Sequence, residues 1–578
     1  MLERLSIGAG AFAAILLAAI AGAAAQDMSK FPDWSGQWRK PAGVGNQWDL
    51  SRPPGRGQRP PLTPEYQALF EARQADRAAG GLGGNYTAQC LPHGLPQMMT
   101  GIYPWEIVVT PKTTYMLSEY NEPRRIFTDG RSWPKEIEGT FNGYSIGTWI
   151  DDDGDGRYDV LEVETRGFKG PRNFDQQGIP LHEDQQSIVK ERFFLDKADK
   201  DLMHLEITVI DHALTQPWSV AKIFRREPDP IWMFVDCSED NHHVWVGKDD
   251  YFVSFDGFLV GARAETPLGR PQGPPLRSKG VGTPLCFRRT VMPYRLPIGA
   301  LALAACLCAS SGAALAFDDA SYPDLAGQWL RINQGKGGQI TFDPTKAWGL
   351  GQQAPLTPEY QAILEASIAD QANGGQGNWQ SGARCYPPGM PATMNGYNSL
   401  EFVVLPEVTY VLVEHNLPIH RRIYTDGRDW PDAVDPTFQG YSIGRWIDSS
   451  GRGRYDALEV ETRNFKGPRV IDPTGIPTHV DNQSIVKERI YLDKSDPKVL
   501  HDDVTLIDHA LTRPWSVNKT FRRNAAEQPL WREENCPGVT LLTKIGDEIY
   551  FKGADGKLLP TRKGQPPPDL RYFKQTQR

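Results

Sequence analysis

The side chains of this 578-residue chain that could do chemistry are carboxylates, a few histidines and seven cysteines. One run stands out. Asp151, Asp153, Asp155, Asp159 and Glu162 fall at positions 1, 3, 5, 9 and 12 of a calcium-loop spacing, with Gly156 at the tight sixth position and the Arg157 carbonyl available at the seventh. The flanking "YSIGTWI" and "VLEVET" alternate as strands do, so the loop would sit on a hairpin rather than between helices. A second passage of the chain repeats this hairpin as Asp448, Ser450, Arg452, Gly453, Asp456 and Glu459, with a cation in place of a ligand. Ca²⁺ is therefore expected in the first hairpin only, against the competing reading of a solvated turn.

Strand alternation gives a second group. In "SIVKERFFL" the face holding Val189, Phe193 and Leu195 also holds Glu191; Tyr115 and Leu117 share a face with Glu119, and Trp218, Val220 and Phe224 with Lys222. The second passage repeats these polar exceptions as Glu488, Glu414 and Lys519. If such faces line a barrel, the carboxylates and lysines form an interior cluster, joined by Arg124, Arg125 and His182, or by Arg421, Arg422 and His479. Glu191, His182, Glu488 and His479 are the acid/base candidates. Glu119, Arg124, Arg125, Lys222, Glu414, Arg421, Arg422 and Lys519 are the ligand-binding candidates. The plainer alternative is a satisfied ion-pair network bracing the barrel. With no nearby cysteine or second histidine in the sequence, His182 and His479 match no zinc spacing, and His212 and His509 are expected to orient a turn.

Positioning these groups falls to a duplicated framework. "FPDWSGQW" at Phe31 returns as "YPDLAGQW" at Tyr322, and Phe141 to Asp196 matches Phe438 to Asp493 at 40 of 56 positions, so the chain is two copies of one unit. Each copy opens with a helix, Thr63 as N-cap and Pro64 at its first position in copy one. Strand-like runs separated by turn residues follow, from Glu106 to Arg226. The 56 Gly and 47 Pro suit many short strands. A net charge of -8 argues against a nucleic-acid partner. Residues 1–25 read as a signal peptide. Residues 292–316 repeat that pattern, or form a membrane span if the uncharged stretch Leu296 to Phe317 is retained as a helix. The expected domains are 31–260 and 322–578, with a linker at 261–291. In an exported, periplasmic or extracellular protein, the cysteines that recur in both copies would pair as Cys90 with Cys237 and Cys385 with Cys536.

The motif order "RRIFTDGR", "GYSIGTW", "DVLEVET", "HEDQQSIVKER" and "ALTQPWSVAKIFRR" resembles a family of secreted bacterial proteins without assigned activity. The resemblance implies lipocalin-like (calycin-type) barrels, hence a mainly β fold of two tandem antiparallel barrels, each with one N-terminal helix. The expected function is binding of a small apolar or aromatic ligand. A lyase, hydratase or isomerase using an interior carboxylate or histidine is the alternative, and a structural or interaction module the third. Processing near Ala316 would separate the copies: antibodies against each half should then detect two bands of comparable size in the exported fraction, and a single full-length band would contradict this.

Overall fold

The computed structural model describes residues 28–228 and 319–526, except 79–82, 87–90, 119–121, 333–339, 373–376, 379–386 and 414–418, together with short segments after each stretch. The segments 1–25 and 292–316, the linker, all seven cysteines, Glu119 and Glu414 lie outside the described residues. No helix among the described residues is long and apolar enough to cross a membrane.

In the first copy β1 (Gln37–Arg39), β2 (Trp105–Val109), β3 (Thr113–Ser118), β4 (Arg124–Phe127), β5 (Tyr144–Ile150), β6 (Val160–Arg166), β7 (Ile188–Leu195), β8 (Leu202–Ile210) and β9 (Trp218–Arg226) follow one another around a closed barrel. The short β1 closes it by pairing with both β2 and β9, which leaves no free sheet edge. After a separate three-stranded sheet of β10 (His243–Val246), β11 (Asp249–Val253) and β12 (Leu259–Ala262), the barrel recurs. Its strands are β13 (Gln328–Arg331), β14 (Leu400–Val404), β15 (Val408–Val413), β16 (Ile419–Tyr424), β17 (Tyr441–Ile447), β18 (Ala457–Arg463), β19 (Ile485–Leu492), β20 (Val499–Ile507) and β21 (Trp515–Arg523). A hairpin of β22 (Leu542–Ile545) and β23 (Glu548–Phe551) follows. Both barrels belong to one compact unit, whereas β10–β12 belong to a second.

The architecture is thus two tandem, mostly antiparallel nine-stranded barrels with one helix each. Helix α1 (Pro64–Ala78) and its counterpart α2 (Pro358–Ala372) lie between the first and second strands of their barrels rather than ahead of the sheet. Thr63 caps α1 through its hydroxyl, which accepts from the Tyr66 N–H at 3.5 Å. Tyr66 and Phe70 are the buried residues of the helix.

One joint departs from an antiparallel meander. β4 and β5 pair in parallel, through Ile126 with Ser145 and Phe127 with Ile146 only. The copy-two joint has the same register, Ile423 with Ser442 and Tyr424 with Ile443. This seam has fewer ladder pairs than the β3–β4 and β5–β6 joints on either side of it. Gly147 permits the close approach there, since a Cβ at that position would come within 2.7 Å of the Ile126 side chain.

Inside each barrel an apolar core of inward residues alternates with outward polar ones. Along β8, Met203, Leu205, Ile207 and Val209 are buried between half-buried or exposed neighbours. β2 and β3 break this rule, because every residue in them is buried. Trp105, Ile107 and Met116 join the barrel core, while Val108, Tyr115 and Leu117 form a separate outward cluster with Val403, Tyr410 and Leu412 of the second barrel. The Tyr115 and Leu117 face, expected from the sequence to point inward, therefore points to the other barrel. A strand buried on both faces carries no hydrophobic phase from which its direction can be read.

Candidate functional site

Among the described residues, each barrel holds one fully buried ion pair. Arg124 of β4 meets Glu191 of β7 as a two-pronged pair, with 3.0 Å between Nη1 and Oε1 and a second short contact from Nη2 to Oε2; both side chains are 0% exposed. The other guanidinium hydrogens reach Ser145 Oγ of β5 at 3.2 Å, Thr165 Oγ1 of β6 at 3.0 Å and Met116 Sδ of β3 at 3.5 Å. All five donors are used. Arg421 repeats the arrangement with Glu488 (2.9 Å), Ser442 (3.0 Å) and Thr462 (2.7 Å). The guanidinium therefore ties β3, β5, β6 and β7 to β4 across the two-pair seam.

Lys222 and Lys519 are interior as well, but their ammonium groups are engaged by backbone carbonyls and, for Lys519, a side-chain amide. Lys222 Nζ donates to the carbonyls of Trp48 and Gln47, and the Trp48 N–H donates to Asp175 at 3.0 Å. In copy two Lys519 Nζ donates to the Phe342 carbonyl at 3.0 Å and to Asn395 Oδ1 at 2.5 Å, and Phe342 N–H donates to Asp472 at 3.3 Å. A carboxylate and an ammonium thus grip the two sides of one aromatic residue that fills the barrel. Burial lowers Lys222 to about 7 and raises Asp175 to about 6.

The acid/base candidates do not converge. His182 lies on the loop before β7, where its Nδ1 accepts the Asp184 N–H at 3.1 Å and its ring packs on Tyr66 at 5.2 Å. The structure adds His212 from the β8–β9 turn, whose Nδ1 lies 2.5 Å from Asp184 Oδ2. His479, Asp481 and His509 repeat the cluster, with 2.7 Å between His509 and Asp481. Sequence spacing hides this pairing, because the second histidine comes from another hairpin. Two histidines and one carboxylate are metal-ligand types, and here all three are held together by contacts to Asp184. The cluster reads as a clasp between two loops. Arg125 and Arg422 point away from the interior and reach the neighbouring barrel, Arg125 to Glu401 at 2.7 Å and Arg422 to Glu106 at 3.0 Å.

In the Asp-rich hairpin the carboxylates of Asp151, Asp153 and Asp155 approach one another and are exposed. Asp151 accepts from the N–H groups of Gly154, Asp155 and Gly156, Asp155 from that of Arg157, and Asp159 from that of Asp152. Glu162 faces Arg192 at 3.6 Å. In copy two Asp448 and Asp456 accept from Gly453 and Ser449 in the same way, so the turn is built by backbone capping in both copies.

Comparison of the two interiors shows a residue that strand reading of the first copy misses. Asp502 on β20 occupies the place of Leu205, between the inward Leu500 and Val504, with Ile490 and Lys519 as its cross-strand neighbours. It is 0% exposed, and neither carboxylate oxygen has a hydrogen-bond partner among the described residues. Burial, reinforced by Glu488, raises its carboxyl well above the ordinary range, while burial depresses Lys519. The signal was present in the sequence as "LMHLEITVI" against "VLHDDVTLI". No protein-family model matches the chain, and no curated protein matches it.

Two measurements test these interiors. Glu191→Gln strands a buried guanidinium and should lower stability by roughly 3–5 kcal/mol, read as a shift in denaturation midpoint; a loss under about 1 kcal/mol would contradict a sealed pair. The folded-state pKa of Lys222 lies below the unfolded value, so between about pH 7 and the ordinary lysine range the folded chain binds fewer protons than the unfolded one. Stability should therefore rise with pH across that window. Lys222→Met together with Lys519→Met should flatten the rise in thermal melts, and an unchanged slope would contradict the assignment.

Proposed function

We propose that the chain is an exported pair of lipocalin-like barrels that binds a small apolar or aromatic molecule, and that the second barrel selects one bearing a hydrogen-bond donor such as an amine or hydroxyl. The observation that carries this reading is Asp502, an inward carboxylate whose two oxygens have no hydrogen-bond partner among the described residues. A buried carboxylate without a donor costs several kcal/mol or is forced to protonate, and a ligand donor would relieve that cost. Glu191 and Glu488 are less suited to turnover, since each spends both oxygens on an arginine. Lys222 and Lys519 are spent on carbonyls and a side-chain amide. Binding rather than catalysis is the role left to such an interior. The first barrel, with Leu205 at this place, would take a purely apolar ligand.

The test is calorimetric titration of the full chain with phenethylamine, beside native mass spectrometry of the protein from its own source for a retained small molecule. One site that Asp502→Leu abolishes is expected. The same substitution, which installs the residue of copy one, should raise stability by roughly 1–3 kcal/mol. Phenethylamine binding that survives the substitution, or a loss of stability, would remove Asp502 as the anchor.

A further inference from the structure

The contact between the barrels is symmetric. Glu106 of β2 accepts from the Tyr410 hydroxyl at 2.5 Å and from Arg422 Nε at 3.0 Å. Glu401 of β14, the counterpart of Glu106, accepts from the Tyr115 hydroxyl at 2.8 Å and from Arg125 Nε at 2.7 Å. Tyr115 and Arg125 are the counterparts of Tyr410 and Arg422. Between the two polar triads lies the cluster of Val108, Tyr115 and Leu117 with Val403, Tyr410 and Leu412, again three residues and their copies. Each of these contacts is thus matched by its reciprocal, which is the signature of a two-fold, isologous interface. Both glutamates are buried, and burial with the facing carboxylate raises both tyrosine hydroxyls well above their ordinary range, so the triads are desolvated rather than rim contacts.

We propose that the outward face of β2–β4, like that of β14–β16, is a self-complementary docking surface whose partner is a second copy of the same barrel, and that the duplicated chain is such a dimer made continuous. Each barrel supplies the same glutamate, tyrosine, arginine, valine and leucine. A face built this way cannot distinguish the other half of its own chain from another copy of itself. Cutting the chain between the copies would then leave the pair assembled, and the cut halves could pair with their own kind.

The experiment uses the full chain with a protease site inserted after Gly273, cleaved after purification and examined by native mass spectrometry at micromolar concentration. The expected result is a complex of the two halves and, after dilution and reconcentration, homodimers of each half beside it. Glu106→Arg should weaken the complex at least about thirtyfold, and Arg422→Glu added to it should restore assembly, with near-ultraviolet circular dichroism monitoring the fold in each case. Separation of the unsubstituted halves into monomers would overturn the proposal. So would a heterodimer that never exchanges into homodimers, or a charge swap that fails to restore pairing in folded protein.

Discussion

The buried guanidinium of Arg124, with its twin Arg421, is the constraint from which much of each barrel follows. A charge at 0% exposure persists only if every donor is met. Meeting them requires a serine on β5, a threonine on β6 and a glutamate on β7, all facing inward at one level. That requirement pins the register of four strands around the parallel β4–β5 seam, where the ladder itself contributes only two residue pairs. The ion pair is thus a clasp placed beside one of the joints where backbone pairing is thin.

The two copies act as a comparison made within one chain. The hairpin built on Asp151 and the one built on Asp448 share the cap on the backbone N–H of the following glycine although several carboxylates between them are exchanged for serine and arginine. The shared cap is a structural feature that both hairpins keep. What differs inside an otherwise repeated core asks for another explanation, and the exchange of Leu205 for Asp502 changes a buried group from one that needs no partner to one that does.

The same logic separates the arginines of the "RR" pair. Adjacent residues on a strand point to opposite faces, so Arg124 goes to the interior and Arg125 to the neighbouring barrel. One dipeptide serves both the closure of a barrel and the joining of two. Glu106 and Glu401 complete the outer contact because a charged arginine and a tyrosine hydroxyl taken out of water together need an acceptor.

By itself the sequence determined the duplication, the helix start at Thr63, the strands from Tyr144 to Arg226 and the inward place of Glu191 and Lys222, because capping chemistry and period-two alternation are local and survive in a strand with one wet face. It also singled out Arg124, though not as the partner of Glu191. Only the tertiary structure decided the direction of Tyr115 and Leu117, since a face covered by a second barrel looks as apolar as a core. The meeting of His182 with His212 and the engagement of Lys222 by Trp48 were likewise decided there, because their partners come from loops far apart in the chain. Asp502 belongs between the two. Its difference from Leu205 is written in the sequence, but that neither oxygen has a hydrogen-bond partner among the described residues depends on which groups the other strands bring to that level.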